Sequence, residues 1–324
     1  MTQSRHVLLI INPAAGTASK QGLEKFVRTS LHNIGWTADV AYTKGHGDAT
    51  QLAKGAVERN LDGVIIAGGD GTVNEAASAL RSTQMPLGII PMGSGNGLAR
   101  HLGIPSDPRQ ALDIILQNHI TDCDFGTVNA RPFFCTFGVG FDAAVSEKFA
   151  TQHRRGRMMY IKSVLSEYIK YKPEVYTISA NGKILTEEAF LIAVCNASQY
   201  GNNAYIAPDA SISDGLLDIT IVHAGTPLDM AFVGTDLFTG AINSNMMIHS
   251  FRAPAAVIYR SGEGPAHLDG EPVILDDVMS VKCHAGALRL FTPLRQTAFR
   301  PIITPMENMI RDINSTLSRI FHRY

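Results

Sequence analysis

The sequence predicts an N-terminal doubly wound α/β domain with a parallel sheet, followed by a C-terminal all-β domain built as a sandwich. Three observations carry this reading. Over the first 120 residues, short apolar runs alternate with segments of helical period. Beyond about residue 124, short strand-like runs dominate and turn dipeptides separate them. Three glycine-rich turns also lie between an apolar run and a helical segment: Asn12-Pro13-Ala14-Ala15-Gly16, Gly68-Gly69-Asp70-Gly71-Thr72 and Gly93-Ser94-Gly95-Asn96-Gly97. That placement gathers all three at one edge of the parallel sheet.

In the first domain the strand-like runs are 7–11, 38–43, 63–67 and 87–91, with helical patterns near 20–33, 48–59 and 72–82. Asp48 is placed to cap the second helix. Thr72 and Glu75 have the spacing of a capping box for the third, in which hydroxyl and carboxylate each satisfy a free amide of the first turn. In the second domain the runs are 133–136, 175–179, 189–195, 217–222, 255–259, 278–283 and 287–291. Asn181-Gly182, Asp214-Gly215 and Asp269-Gly270 mark turns between them. Helical patterns interrupt this domain near 155–171 and 227–242. After Pro305, Met306, Met309, Ile310, Ile313, Leu317, Ile320 and Phe321 recur at helical spacing. The expected division is 1–125, 126–295 and a helical segment 296–324 that packs on the first domain or on another subunit.

Composition narrows the classes of function. The net charge of −1 gives no global attraction to nucleic acid or to a membrane. Charged residues make up 18%, below the usual quarter, which points to some apolar surface given over to an interface or a greasy ligand. Cys123, Cys135, Cys195 and Cys283 are far apart and form no C-x-x-C pair, the pattern of free thiols in a reducing compartment. No leader-like segment precedes the first strand, and no apolar stretch approaches the ~18 residues of a membrane span. A cytoplasmic protein is expected.

The turns carry chemistry. Glycines let backbone N–H groups approach phosphate oxygens with no Cβ in the way, and a helix beginning at Thr72 adds its positive end. An aspartate among phosphates needs a cation between them. Asp70 is therefore a candidate for organising Mg²⁺, an ion that takes one or two carboxylates along with substrate phosphates. Read singly, Asp70-Gly71 is also an ordinary turn; three such turns on one edge favour nucleotide binding. No G-x-x-x-x-G-K-[ST] is present, which excludes a Walker-A NTPase. The first turn lacks G-x-G-x-x-G, and the second strand ends at Thr43 without a ribose-binding acid, so dinucleotide oxidoreductases fit poorly. Asp124-Phe125-Gly126 spells a protein-kinase triplet, but neither V-A-I-K nor H-R-D accompanies it.

Together the three turns, with Asn74 and Glu75 after the second and Leu98-Ala99-Arg100 after the third, resemble the diacylglycerol kinase catalytic family of lipid kinases. The likeness continues through Asp124-Phe125-Gly126-Thr127-Val128-Asn129, Gly140-Phe141-Asp142-Ala143, Ser213-Asp214-Gly215-Leu216-Leu217-Asp218 and Leu268-Asp269-Gly270-Glu271-Pro272. It spans about residues 5–295 in order. G-G-D-G-T alone is shared with NAD kinases and phosphofructokinase-like folds, and the resemblance implies a first domain of that kind. It implies that Asn12, Pro13, Ala14, Ala15, Gly16, Thr43, Gly68, Gly69, Asp70, Gly71, Thr72, Val73 and Asn74 surround ATP. Gly93, Ser94, Gly95 and Asn96 complete that set from the third turn. Asp70 with Asp124 would organise the catalytic Mg²⁺. Asp269 and Glu271 would supply the general base for a lipid hydroxyl; without the resemblance, Asp269-Gly270-Glu271 reads as a hairpin turn. Asp214, with the carbonyls near Ser211 and Leu216, would hold a structural Mg²⁺.

One position departs from the pattern. Diacylglycerol kinases commonly carry Asp after the Asn of the third turn, whereas this chain has Gly97, as sphingoid and ceramide kinases have a small residue there. The expected activity is Mg²⁺-dependent transfer of the γ-phosphoryl of ATP to a membrane-lipid hydroxyl, diacylglycerol-like or sphingoid-like, with the lipid head in a cleft between domains. The alternatives are a soluble-substrate kinase such as an NAD kinase, and a non-catalytic nucleotide or lipid sensor. Residues 148–172 combine Arg154, Arg155, Arg157 and Lys162 with apolar residues, a segment suited either to a membrane interface or to packing on the β domain. Peripheral membrane contact at the inner surface and a homodimer are the expected associations, with no nucleic-acid partner. His101, His267 and His284 lack metal-ligand spacing and receive no role.

Overall fold

A computed structural model describes residues 4–15, 22–150, 171–295 and 298–321. The chain forms two compact units: Met1–Cys123 with Gly286–Ala298 and Met306–Tyr324, and Asp124–Ala285 with Phe299–Pro305.

In the first unit β1 (His6–Ile11), β2 (Thr37–Tyr42), β3 (Gly63–Gly68) and β4 (Leu87–Pro91) form a parallel sheet in the order β2-β1-β3-β4. Helices α1 (Leu23–Asn33), α2 (Asp48–Glu58) and α3 (Asp70–Leu80) alternate with these strands, and α4 (Gly97–His101) and α5 (Pro108–Leu116) follow β4. Every residue of β3 and β4 is buried, the pattern of strands covered on both faces. Val27 and Leu31 of α1, Ala53 and Ala56 of α2, and Ala76 and Leu80 of α3 supply that cover. The α/β alternation expected from the sequence is therefore present.

The caps differ from expectation. Helix α3 begins at Asp70, with extended Gly69 before it and no side-chain cap. Glu75 turns instead to the neighbouring helix, where its carboxylate accepts the N–H groups of Gly47 and Ala49 at 2.8 and 3.1 Å. Asp48 does not cap α2 either; left-handed Gly47 occupies that position, and the Asp48 carboxylate accepts from Lys44 and Gly45. One carboxylate from α3 thus satisfies the start of α2.

The second unit contains β6 (Arg131–Phe133), β7 (Thr136–Gly140), α6 (Phe141–Ala150), β8 (Glu174–Ala180), β9 (Lys183–Ala189), β10 (Leu191–Cys195), β11 (Leu217–Val222), α7 (Pro227–Thr239), β12 (Ile248–Ala253), β13 (Ala255–Tyr259), β14 (Gly264–Leu268) and β15 (Glu271–Leu275). Two strands belong to both units: β5 (Ile120–Val128) ends in the second, and β16 (Val278–Phe291) begins there. One antiparallel sheet runs β12-β11-β10-β7-β14-β15. Strands β9, β8, β13 and the first part of β16 form a second antiparallel layer. Phe137, Ile192, Val194, Ile219 and Ile221 of the first layer share one core with Tyr176, Ile178, Ile258, Met279 and Val281 of the other, which makes the sandwich. Alternate residues of β10, Leu191, Ala193 and Cys195, face a second cluster with Phe141 and Val145 of α6 and Val233 of α7.

Three expectations are corrected in this unit. Residues 133–136 are not one strand: β6 stops at Phe133 and β7 starts at Thr136. Runs 278–283 and 287–291 belong to the single strand β16, which passes through Gly286 at φ +60°. Five strands, β5, β9, β12, β14 and β15, have no counterpart among the runs read from the sequence. Strand β9, Lys-Ile-Leu-Thr-Glu-Glu-Ala, is charged and largely exposed, and β14 opens on Gly-Pro, so neither reads as an apolar run. The 227–242 pattern is α7 with a short 3₁₀ turn after it, while the 155–171 pattern lies outside the described residues except for Tyr171. The C-terminal stripe is helical as α8 (Ile303–Phe321), and Met306, Met309, Ile310 and Ile313 are each about half exposed. The side chains of Leu317, Ile320 and Phe321 lie outside the described residues.

Candidate active site

The three turns follow β1, β3 and β4, so the parallel order brings them to one edge of the first unit. In the first, the Asn12 side-chain NH₂ donates to Thr72 Oγ at 2.8 Å, and its Oδ1 accepts from Ala14 N–H. Pro13 and Ala14 are exposed, Ala15 is partly buried, and Gly16 lies outside the described residues. Thr43 is buried at the end of β2, its N–H donating to the Ile11 carbonyl. Gly71 and Ser94 are the exposed tips of their turns, while Thr72 and Val73 are buried and Asn74 is partly buried.

Steric fit explains the glycines of the second and third turns. A Cβ on Gly68 would lie 2.7 Å from Thr72 Cβ, and one on Gly93 would lie 2.8 Å from Gly69 Cα. A Cβ on Gly95 would meet the Asp70 carboxylate at 2.8 Å. The two turns pack backbone to backbone. Asn96, at φ +52°, closes the third by exchanging hydrogen bonds with both the N–H and the carbonyl of Gly93.

Asp70 joins the second and third turns. Its Oδ2 accepts from Asn96 N–H and its Oδ1 from Gly97 N–H, each at 2.7 Å. The carboxylate therefore caps the start of α4. Each oxygen keeps lone-pair capacity beyond the one N–H it accepts, so the residue fits a divalent cation as well. Arg100 braces the same turn, with its Nε donating to the Gly95 carbonyl and Nη1 to Asp312 of α8 at 2.7 Å. In the sequence Arg100 reads only as part of a motif; its bracing role is visible in the fold alone.

In the second unit Asp269 and Gly270 form the turn between β14 and β15, at φ +52° and +84°. Asp269 Oδ1 accepts from the N–H groups of Cys135 and Thr136 at 2.7 and 2.9 Å, and Oδ2 accepts from Phe134 N–H at 2.8 Å. This carboxylate is what interrupts the 133–136 run: it takes the amides that a neighbouring strand would otherwise satisfy. Burial pushes the Asp269 carboxyl up to about 6, against the three amides that favour its charged form. Glu271, two residues on, is exposed at the start of β15.

Asp124 is buried in the second unit. Its Oδ2 accepts from Gly215 N–H at 2.7 Å, and its carbonyl accepts from the Asn196 amide, which also donates to Phe134 O. No spacing in the sequence singles out Asn196. Asp214 Oδ1 accepts from Leu216 N–H, and Ser211 Oγ accepts from Ser213 N–H. Arg252 Nη1 lies 3.8 Å from Asp214 Oδ2. A structural divalent ion there would be held by the Asp214 carboxylate, whose Oδ1 accepts the Leu216 N–H with lone-pair capacity to spare, and by the backbone carbonyls near Ser211 and Leu216. Among the described residues no three His, Cys, Asp or Glu side chains cluster as a metal site. The four cysteines are buried, and among the described residues none is in a disulfide.

Comparison with known proteins decides the family. Residues 6–128 match the model described as the diacylglycerol kinase catalytic domain, and residues 135–292 match the YegS C-terminal NAD kinase beta sandwich-like domain. A diacylglycerol kinase of Mycobacterium tuberculosis is 31% identical over 248 residues, covering 70% of this chain and 80% of that one. The chain belongs to the diacylglycerol kinase catalytic family. Another relative is the "Probable lipid kinase YegS-like" protein of Pectobacterium atrosepticum, 30% identical over 280 residues, with 84% of this chain and 91% of that one covered. A Bacillus anthracis crystal structure, proposed to be a diacylglycerol kinase, superposes with a TM-score of 0.75 at 27% identity, covering 90% of this chain and 98% of that one. Family membership makes the protein a kinase of the lipid-kinase group. Among the described residues no helix is long and apolar enough to cross a membrane.

Proposed function

We propose that this kinase transfers the γ-phosphoryl of ATP to the hydroxyl of a membrane lipid, with Asp269 as general base. The observation that carries the reading is the Asp269 carboxylate. Three consecutive amides fix both of its oxygens in place, and burial poises it near 6. A base whose proton affinity lies near the working pH is what hydroxyl activation needs, and such a group is worth typically ~10²–10⁴-fold in rate. Glu271 is exposed at the edge of its strand and is assigned no proton transfer.

The glycine turns of the first unit suit the phosphates of ATP, since glycine lets the turns pack closely at one edge of the sheet and backbone N–H groups at such turns and helix starts bind anions. Mg²⁺, when bound beside Asp70, supplies charge neutralisation for the phosphates. Asp70 itself fixes the third turn against the second, so the cradle and the cation ligand are one device. Asp124 Oδ2 accepts the Gly215 N–H in the second unit and keeps lone-pair capacity for the ion.

Purified protein with radiolabelled ATP, Mg²⁺ and mixed micelles tests the proposal against diacylglycerol, monoacylglycerol, sphingoid base, ceramide, phosphatidylglycerol and NAD. Label in one of the lipids supports it. Label only in NAD would assign the activity of a soluble-substrate kinase, and ATP binding without transfer to any acceptor would leave a sensor.

A further inference from the structure

The geometry points to His267 as a positioning residue for the Asp269 turn, set in one tautomer by Asp142; this rests on Asp269 being the base. His267 lies on β14 two residues before Asp269 and is 1% exposed. Its Nε2 stands 3.1 Å from Asp142 Oδ2, and its Nδ1 accepts the N–H of Gly270 at 3.3 Å. Asp142, in the first turn of α6, receives two further donors: Tyr200 O–H on Oδ2 at 2.9 Å and Ala143 N–H on Oδ1 at 2.8 Å. The Tyr200 ring meets the imidazole edge-on at 5.9 Å.

Donor and acceptor bookkeeping fixes the proton. Gly270 N–H can only donate, so Nδ1 must present its lone pair and the ring proton must sit on Nε2, facing a carboxylate that can only accept. A histidine held this way ties the backbone of the Asp269-Gly270 turn to α6, independently of the three amides that grip the Asp269 carboxylate. The site is also built to size. A Cβ on Gly138 of β7 would lie 2.2 Å from Asp142 Oδ2 and 2.4 Å from His267 Nε2. Glycine there leaves room for the pair.

Two isosteric replacements separate the halves of this device. His267→Asn keeps an acceptor where Nδ1 stood and gives up Asp142; His267→Gln keeps a donor toward Asp142 and gives up Gly270. In lipid phosphorylation assays at saturating ATP, His267→Asn is expected to stay within about threefold of wild-type kcat. His267→Gln is expected to lose about 10- to 100-fold, with the KM for ATP unchanged in both, because a displaced base lowers the chemical step. Asp142→Asn reaches the ring from the other side. Ala143 N–H keeps the amide oxygen at the Oδ1 place, which turns the NH₂ toward Nε2 and forces the proton onto Nδ1, against Gly270. Made alone, Asp142→Asn should lose kcat; added to His267→Asn, it should lose nothing further.

Nitrogen NMR of ¹⁵N-histidine-labelled protein reads the tautomer without any assay of activity. Protonated Nε2 and bare Nδ1 at His267 are expected. A proton on Nδ1, equal losses in His267→Asn and His267→Gln with matched melting temperatures, or an undiminished effect of Asp142→Asn when combined with His267→Asn would each overturn the inference. A wild-type enzyme that labels no lipid while showing the expected tautomer would instead remove the functional reading and leave the geometry standing.

Discussion

The amide of Gly97 donates to Asp70 Oδ1 at 2.7 Å, so the one position where the third turn departs from the common diacylglycerol kinase pattern lies directly against the aspartate of the second. An aspartate at this position would bring a second carboxylate to the start of α4. It would gain from the helix end and lose to its neighbour's like charge unless a cation joined them. Gly97→Asp is expected to lower the Mg²⁺ concentration that gives half-maximal rate. A Mg²⁺ titration of wild type and variant measures it, and an unchanged or higher requirement would count against Asp70 as the cation ligand.

Asp70→Asn removes the charge and one of two acceptors, leaving an NH₂ group facing an N–H of Asn96 or Gly97. A loss of at least ~10² in kcat is expected, with a stability loss of roughly 1–3 kcal/mol from the unsatisfied amide. Denaturant titration and steady-state rates on the same preparation separate the two effects. A variant with wild-type turnover would rule out the role given to Asp70.

Glu75→Ala strips the N–H groups of Gly47 and Ala49 of their acceptor. Loss of a helix cap costs about 1 kcal/mol. Urea unfolding should show a lower midpoint at unchanged slope.

The Asp269 carboxyl binds its proton more tightly in the folded chain than its ordinary value of 3.8, rising to about 6. For such a group the stabilising contribution is complete below the ordinary value and is lost as pH rises through about 6. Catalysis runs the other way, because only the ionised form accepts a proton. Wild-type kcat should therefore fall on acidification through about 6, while Asp269→Asn gains stability relative to wild type as pH is raised across that same window. A flat kcat profile there would exclude Asp269 as the base.

Arg100→Met should loosen the third turn, since it removes donors to the Gly95 carbonyl and to Asp312. The expected outcome is a higher KM for ATP at nearly unchanged kcat. A change confined to kcat would contradict a role in shaping the nucleotide turn.

Local steric demands made much of the fold and of the first unit's turns readable in the sequence. Gly68, Gly93 and Gly95 stand where a Cβ would strike a named neighbour, and Asp269-Gly270 adopts the two left-handed residues its composition announces. What could not be read depends on partners far along the chain. Glu75 sits three residues after Thr72, yet its carboxylate serves Gly47 and Ala49, 28 and 26 residues away. Asn196 ties residues 72 and 62 positions distant, and His267 meets a carboxylate 125 residues earlier. The apparent strand at 133–136 failed for the same reason, because the group that replaces a neighbouring strand there is the Asp269 side chain.

The grip of Asp269 on residues 134–136 spans more than 130 positions of sequence. Contacts of such separation form late, after the entropy of closing a long loop has been overcome. During synthesis, a ribosome-bound chain that has not yet emerged past Gly270 carries the residues of all three glycine turns, but neither the Asp269 grip on residues 134–136 nor Asp312, the partner of Arg100, is yet available. With Asp269 in its proposed role, the onset of phosphoryl transfer would follow the pairing of β14 with β7 and so report on assembly of the second unit.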